Sequence, residues 1–110
     1  MRFTILLAVL LTTGVAQAAP SPDGKALYTQ HCQSCHGPKG LGDGPNAAAL
    51  DGKPGNLASP NYKVGESDKA VLKVIVDGVR GTPMEAFGQK LSQAECKALV
   101  AYCKKLRGGK

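Results

Sequence analysis

Two cysteines and a histidine stand together in the segment Cys32-Gln33-Ser34-Cys35-His36. Residues three apart lie on the same side of a helical turn, where two thiols can add across the two vinyl groups of haem. The pattern C-x-x-C-H is typical of c-type haem attachment, and histidine is the usual proximal ligand of haem iron. The segment therefore predicts one haem c held covalently by Cys32 and Cys35, with His36 on the iron.

The same side chains could serve two other chemistries. A thioredoxin-like dithiol needs its C-x-x-C beside a βαβ pattern, and no such strands precede Cys32. A zinc site could recruit Cys32, Cys35, His36 and one more thiol. In a structural zinc site, however, each of the two ligand pairs has a short spacing in the sequence. The spacing between Cys96 and Cys103 is too long for such a pair. Haem attachment is the better interpretation.

Cys96 and Cys103 are two further cysteines in a predicted helix. In an exported protein an extra pair suggests a disulfide. Seven helical residues separate the Cα atoms by roughly 10.5 Å, which exceeds the ~7 Å limit for a bridge. Both cysteines fall on an apolar stripe, where a free thiol behaves as a small hydrophobic group. We expect two buried thiols.

The amino-terminal residues have the pattern of a secretory signal peptide. Met1-Arg2 is a short basic start, residues 3–11 are almost entirely apolar, and Ala16-Gln17-Ala18 is a small-x-small cleavage site. A membrane anchor is the alternative, but the apolar run is shorter than the roughly 20 residues a spanning helix needs. We expect residues 1–18 to be cleaved and residues 19–110 to form one domain, exported, soluble and most simply periplasmic.

The composition is that of a small domain that needs a cofactor. Residues 19–110 contain four aromatic side chains and no Trp. A core this small is only marginally stable unless a bound group adds apolar mass. The formal net charge is +6, which favours acidic partners through electrostatic steering. The lysines form no run with interleaved aromatic residues, so nucleic-acid binding is not expected.

Three helices are predicted between loops rich in glycine and proline. Ser21 is expected to cap the first, with Pro22 at its first position. Ser67 begins the second, where apolar residues recur at helical spacing. Ser92 and Glu95 form a capping box that begins the third. These elements predict an all-α fold.

With these elements placed, the chain resembles the class I c-type cytochromes, which are small monohaem proteins. The resemblance extends over nearly all of residues 19–110. It rests on the order and spacing of Gly24, Tyr28, the C-x-x-C-H segment, Gly42-Asp43-Gly44-Pro45, Gly81-Thr82-Pro83-Met84 and Leu99-Val100-Ala101-Tyr102. It implies a cytochrome c fold, in which the first and last helices cross near Gly24 and Tyr102 around one covalently bound haem.

The resemblance also implies the remaining site residues. Met84 would be the second axial ligand of the iron, and a His/Met pair raises the reduction potential. The carbonyl that accepts from Nδ1 of His36 falls on Pro45, with Pro38 and Pro54 as alternatives. His31 is expected at the surface or haem edge. The loop 78–90 is expected to bury little besides Met84, and so to open first.

The function implied is one-electron transfer between redox partners, without catalysis. We expect a monomer that meets acidic donor and acceptor proteins, guided by lysines such as Lys39, Lys53 and Lys90, and that has no stable membrane insertion. The alternative is a haem protein with a labile sixth ligand, acting as a small peroxidase or a ligand sensor. That alternative needs an open iron position, which Met84 would occupy.

Overall fold

The computed structural model of the chain describes residues 5–14 and 21–110. Within these residues the structure is helical and contains no strand. It consists of α1 (Gly24–His31), α2 (Gln33–His36), a 3-10 turn (Ala47–Ala49), α3 (Asp68–Asp77) and α4 (Gln93–Leu106). The all-α prediction with three main helices is confirmed, because α1, α3 and α4 are the long elements and α2 continues α1 past Cys32.

The amino-terminal cap of α1 is Asp23 and not Ser21. A carboxylate oxygen of Asp23 accepts the N–H groups of Lys25 at 3.0 Å and Ala26 at 3.3 Å. The prediction that Ser21 caps this helix and Pro22 begins it was therefore wrong. Asp23 prevails because its charge adds a favourable interaction with the helix dipole to the hydrogen bonds of a cap.

The other two predicted caps are confirmed. The Ser67 hydroxyl accepts the N–H of Ala70 at 3.1 Å and begins α3. The Ser92 hydroxyl accepts the N–H of Glu95 at 3.1 Å, and the Glu95 carboxylate accepts the N–H of Ser92 at 2.9 Å. Each arrangement satisfies amino-terminal donors that have no partner inside the helix.

Helices α1 and α4 pack closely at Gly24. A Cβ at this position would overlap the carbonyl oxygen of Ala98 and lie 3.2 Å from the Cβ of Tyr102. One turn further along α1, the rings of Tyr28 and Tyr102 are 5.0 Å apart at an interplanar angle of 47°. The expectation that Gly24 admits an aromatic residue of the last helix is confirmed.

The core is formed by α1, α3, α4 and one residue of the loop before α4. Its buried side chains are Tyr28, Val71, Ile75, Phe87, Cys96, Leu99, Val100 and Cys103. Phe87 comes from that loop and is 3% exposed. The expectation that this loop buries little besides Met84 was wrong, because an aromatic ring in the core anchors it.

None of the helices within the described residues is long and apolar enough to cross a membrane. Residues 5–14 belong to no helix, and their apolar side chains are exposed, with Leu6 at 90% and Leu10 at 87%. None of them belongs to the core cluster. The expected cleavage site, Ala16-Gln17-Ala18, lies outside the described residues.

Candidate haem-binding site

The C-x-x-C-H segment forms the helical turn that follows α1. The N–H of Cys32 donates to the carbonyl of Tyr28 at 2.8 Å, and the N–H of His36 donates to the carbonyl of Cys32 at 2.9 Å. Cys32 thus joins the two helices, as the carboxyl-terminal cap of α1 and the amino-terminal cap of α2, and Cys35 lies one turn after it in α2. All three candidate side chains are partly exposed. The sequence prediction of two thiols on one helical turn matches this geometry.

The glycine-rich loop after His36 folds back over the end of α2. Its N–H groups donate to successive helix carbonyls: Gly42 to His36 at 2.8 Å, Gly44 to Cys35 at 3.1 Å and Asn46 to Ser34 at 2.8 Å. A Cβ at Gly44 would overlap the Ser34 carbonyl, so this close approach requires glycine. The loop satisfies carbonyl groups that a short helix leaves without partners.

The imidazole of His36 is oriented by a carbonyl from the loop before α3. Nδ1 of His36 lies 2.9 Å from the carbonyl oxygen of Gly55. With its proton on Nδ1, the ring donates to this oxygen and leaves Nε2 free to bind a metal. The N–H of Leu57 donates to the carbonyl of Gly40 at 2.5 Å, which fixes the position of this loop.

The prediction that Pro45 supplies this carbonyl was wrong. Pro45 is exposed and lies between Gly44 and Asn46, whose N–H groups donate to the carbonyls of Cys35 and Ser34 in α2. The acceptor Gly55 directly follows Pro54, one of the alternatives that the sequence left open. The choice depends on a contact between residues 19 positions apart in the chain, which local spacing does not specify.

Met84 lies on a loop that is tied to α3 at both ends. The carbonyl of Met84 accepts the N–H of Val79 at 3.1 Å, and its N–H donates to the Thr82 hydroxyl at 3.2 Å. Further along, the N–H of Phe87 donates to the carbonyl of Ile75 at 2.9 Å. The Met84 side chain is partly buried and packs against the same core as Cys32. The expected attachment residue Cys32 and the expected iron ligand Met84 therefore contact the same core cluster.

His31 packs against this loop as well. Its ring lies 5.5 Å from that of Phe87, at an interplanar angle of 64°. The side chain is partly exposed. This edge-to-face contact joins the end of α1 to the Met84 loop and gives His31 a packing role.

All four cysteines of the chain are free, and Cys96 and Cys103 are 1% and 6% exposed. The prediction of two buried thiols is confirmed. Burial raises the pKa of Cys103 to about 11. Burial, followed by the nearby Cys103 and Cys35, raises the pKa of Cys32 to about 12. Cys103 belongs to the core cluster against which Cys32 packs, and both thiols remain protonated at neutral pH.

Tyr62 and Arg107 support the loop that orients His36, and neither was identified from the sequence. The Tyr62 hydroxyl donates to the carbonyl of Leu57 at 2.6 Å and lies 3.4 Å from the carbonyl of Cys103. The guanidinium of Arg107 lies 4.7 Å from the centre of the Tyr62 ring. Arg107 is 5% exposed, and its Nη1 is buried with no hydrogen-bond partner among the described residues. The one sequence signal for Arg107 is a cation at the carboxyl-terminal end of α4, where the helix dipole by itself favours basic residues.

These features fit a haem. Two thiols and an oriented imidazole share one turn, and a methionine packs on the same core. In the described residues no group of three or more His, Cys, Asp or Glu side chains is placed to hold a bare metal ion. The fold and the site define a c-type cytochrome, which carries one covalently bound haem c and transfers electrons.

Comparison with known proteins identifies the family. Residues 19–103 match the family described as cytochrome c oxidase, cbb3-type, subunit III. The chain belongs to this family of c-type cytochrome domains. The expectation of a class I cytochrome with one haem is confirmed.

Individual relatives are of two kinds. The chain is 37% identical to the dihydro-heme d1 dehydrogenase of Pseudomonas aeruginosa over 93% of its own length, but spans only 18% of that protein. It is 32% identical to cytochrome c55X of Paracoccus denitrificans, covering 92% of this chain and 91% of that protein. Among solved structures, the KustC0563 c-type cytochrome is similar with a TM-score of 0.61 and 33% identity, covering 80% of this chain and 98% of that one.

Proposed function

We propose that the protein is a periplasmic one-electron carrier with His/Met ligation. In this proposal Cys32 and Cys35 hold the haem through thioethers, and His36 and Met84 are the axial ligands. The haem supplies an iron that gains and loses one electron without bond breaking in a substrate. The observation that carries the proposal is the 2.9 Å contact between His36 Nδ1 and the Gly55 carbonyl. That contact holds the ring with Nε2 free, as a permanent ligand requires.

The structure around Met84 supports its role as second ligand. A carrier keeps both ligands in either oxidation state, so the loop bearing the methionine must be held in place. Here Phe87 is buried in the core three residues after Met84, and the N–H of Gly88 donates to the carbonyl of Val76 at 3.1 Å. A thioether favours ferrous iron and so raises the potential. The anchored loop favours a closed iron site over the peroxidase or ligand-sensor alternative.

Whether the domain works alone or as part of an enzyme is a separate choice. One relative is named a dehydrogenase, but this chain spans 18% of it. Cytochrome c55X is instead matched over 91% of its length. The second comparison favours a single-domain carrier, which we propose acts as a monomer and not as an enzyme.

Export to the periplasm is supported by the amino-terminal residues. The family match begins at residue 19, directly after the proposed signal peptide at residues 1–18. Residues 5–14 expose apolar side chains and add nothing to the core. A segment of this kind is expected to be removed after export, leaving residues 19–110 as the mature domain.

Acidic redox proteins are the partners that the charge favours. Lys39 lies with Lys25 and Lys105 around a shallow groove whose apolar lining includes Leu41 and Leu106. Lys90, by contrast, pairs with Glu85 and so offers less free charge. We propose that acidic partners approach through Lys39 and its neighbours, and that Lys90 contributes less than the sequence led us to expect. Lys53 is exposed on the loop before Gly55.

The carrier proposal is tested by visible spectra of the purified holoprotein. Narrow low-spin bands in both oxidation states, unchanged by carbon monoxide, are the expected result. A high-spin spectrum that changes with carbon monoxide would overturn the carrier proposal in favour of the peroxidase or sensor.

The role of Lys39 is tested by the rate of electron exchange with anionic hexacyanoferrate. This rate should fall in Lys39→Gln more than in the matched variant Lys90→Gln. Equal rates, or rates independent of ionic strength, would remove Lys39 from the proposal.

A further inference from the structure

His31 is the last residue of α1, and its side chain contacts the loop that bears Met84. The centres of the His31 and Phe87 rings are 5.5 Å apart, with an angle of 64° between the ring planes. Aromatic pairs favour this edge-to-face arrangement, because the positive edge of one ring meets the negative face of the other. The contact therefore has a favourable geometry and joins two parts of the chain that are distant in sequence.

Phe87 is the point at which the loop between α3 and α4 is fastened. Its ring is 3% exposed. Its N–H donates to the carbonyl of Ile75 at 2.9 Å, and its carbonyl accepts the N–H groups of Lys90 at 3.0 Å and Leu91 at 2.9 Å. Main-chain bonds on both sides of the residue thus hold the ring in one place, so that it offers a fixed surface to the imidazole.

Met84 is held by bonds of a different kind. Its carbonyl accepts the N–H of Val79 at 3.1 Å, and its N–H donates to the Thr82 hydroxyl at 3.2 Å. Both partners belong to the same loop, so these bonds shape the turn around Met84. Movement of the whole turn is opposed at Phe87, three residues further on, where the loop enters the core.

The other end of the contact adjoins the proposed haem attachment. His31 directly precedes Cys32, whose N–H donates to the carbonyl of Tyr28 at 2.8 Å, so α1 and the attachment turn form one continuous unit. A haem held at Cys32 and Cys35 keeps a fixed position relative to α1. A thioether from the loop can stay on the iron only while the loop keeps its distance from that helix. The ring of His31 connects these two parts.

We propose that His31 is a positioning residue for Met84, and that its ring slows the departure of the thioether from the haem iron. The inference rests on the proposed haem attachment and on the proposed ligation by Met84. Without the ring, the loop moves away from α1 more often, and an external ligand can then take the sixth position. In that exchange the Met84 sulfur leaves the iron and a nitrogen of the external ligand binds, while the iron stays ferric.

The test is the rate at which imidazole binds to the ferric holoprotein. At high imidazole concentration this rate should reach a limit, because Met84 must first leave the iron. His31→Ala removes the ring contact and should raise the limiting rate by roughly 2- to 10-fold, the range that the strength of an aromatic pair allows. His31→Phe keeps an aromatic ring at this position and should stay close to the wild-type rate. Gln30→Ala is the matched control, because it changes the exposed neighbouring residue of α1, and it should leave the rate unchanged.

A double-mutant cycle isolates the contact between the two rings. Phe87→Leu keeps an apolar side chain but removes the partner ring, so it should raise the limiting rate by itself. Adding His31→Ala to Phe87→Leu should then have little further effect. Amide hydrogen exchange gives a readout that involves no iron ligand. The N–H groups of Phe87 and Gly88, which donate to carbonyls of α3, should exchange faster in His31→Ala than in Gln30→Ala.

Three results would overturn the proposal: His31→Ala with the limiting rate of Gln30→Ala, His31→Phe as fast as His31→Ala, or effects of His31→Ala and Phe87→Leu that simply add. If His31→Ala does not accumulate as holoprotein, His31→Gln, which also lacks a ring, decides by the same rates.

Failure of the carrier proposal has a different signature. If Met84 is not the ligand, the wild-type rate rises with imidazole without reaching a limit, and Met84→Ala matches wild type. A wild-type rate that does reach a limit, together with an unchanged limit in His31→Ala, would overturn the role of His31 alone.

Discussion

The hydroxyl of Tyr28 donates a 2.6 Å hydrogen bond to the carbonyl of Gly37, nine positions further along the chain, and the whole C-x-x-C-H segment lies between these two residues. Tyr28 is 1% exposed and belongs to the core, whereas Gly37 is the residue at which α2 ends. The bond therefore closes the haem-binding turn against α1. Burial is the largest cause of a raised pKa at Tyr28, so its hydroxyl stays protonated and able to donate.

Removing this hydroxyl is expected to destabilise the turn. Tyr28→Phe leaves the buried carbonyl of Gly37 without its partner, which should lower the free energy of unfolding by about 1–3 kcal/mol. Chemical denaturation of the holoprotein measures the change. Tyr102→Phe is the matched control, since it retains the 5.0 Å ring contact and lies on the partner helix. Equal losses in the two variants would contradict a specific role for the Tyr28 bond.

Met84→Ala is expected to free the sixth coordination position of the haem iron. Without the thioether the midpoint potential should fall, because that ligand favours the ferrous state, and carbon monoxide should bind to the reduced protein. Potentiometry and visible spectra measure both effects. Glu85→Ala serves as the control, since it alters the next residue of the same loop and should change neither. A Met84→Ala variant with wild-type potential and no carbon monoxide binding would exclude Met84 as the ligand.

The capping box of α4 predicts a pH dependence of stability. Hydrogen bonds from the main chain and side chain of Ser92 hold the pKa of Glu95 below its usual value. The ionised carboxylate therefore stabilises the fold above the unfolded pKa, and this contribution is lost as pH falls through the lower folded value. Wild type should exceed Glu95→Gln in unfolding free energy at neutral pH, and the difference should vanish in acid.

Denaturation of both proteins across the acidic range measures this difference. Asp51→Asn is a suitable comparison, because it removes a carboxylate from an exposed loop position. Its stability relative to wild type should change little over the same range. A gap between wild type and Glu95→Gln that stays constant with pH would show that the Glu95 charge has no part in the cap.

The buried thiols should resist alkylation. Cys96 and Cys103 are nearly inaccessible, and burial raises both pKa values, that of Cys103 to about 11. Because the thiolate is the reactive form, native holoprotein should remain unmodified by iodoacetamide, and the unfolded chain should gain two adducts. Ala101→Cys provides an exposed thiol on α4 as a positive control. Rapid native labelling of either buried cysteine, or an intramolecular disulfide in the mass spectrum, would contradict the packing.

Much of the fold follows from local sequence. The capping box at Ser92, the cap at Ser67 and the spacing of Cys32, Cys35 and His36 are patterns within a few residues, and the structure matches all of them. The cap of α1 was misassigned because Ser21 and Asp23 are both good caps, two positions apart. Local preferences rank such candidates only weakly when each can satisfy the same donors.

The sequence by itself determined the chemistry, since the types and spacing of Cys32, Cys35 and His36 indicate covalent haem whatever the remainder of the chain does. Only the tertiary structure decided which carbonyl holds His36: Gly55, 19 residues away, in place of Pro45. It also placed Phe87 in the core and left Nη1 of Arg107 without a partner. The physical reason is that these contacts join residues distant in the chain, and their partners are selected by packing and not by local periodicity.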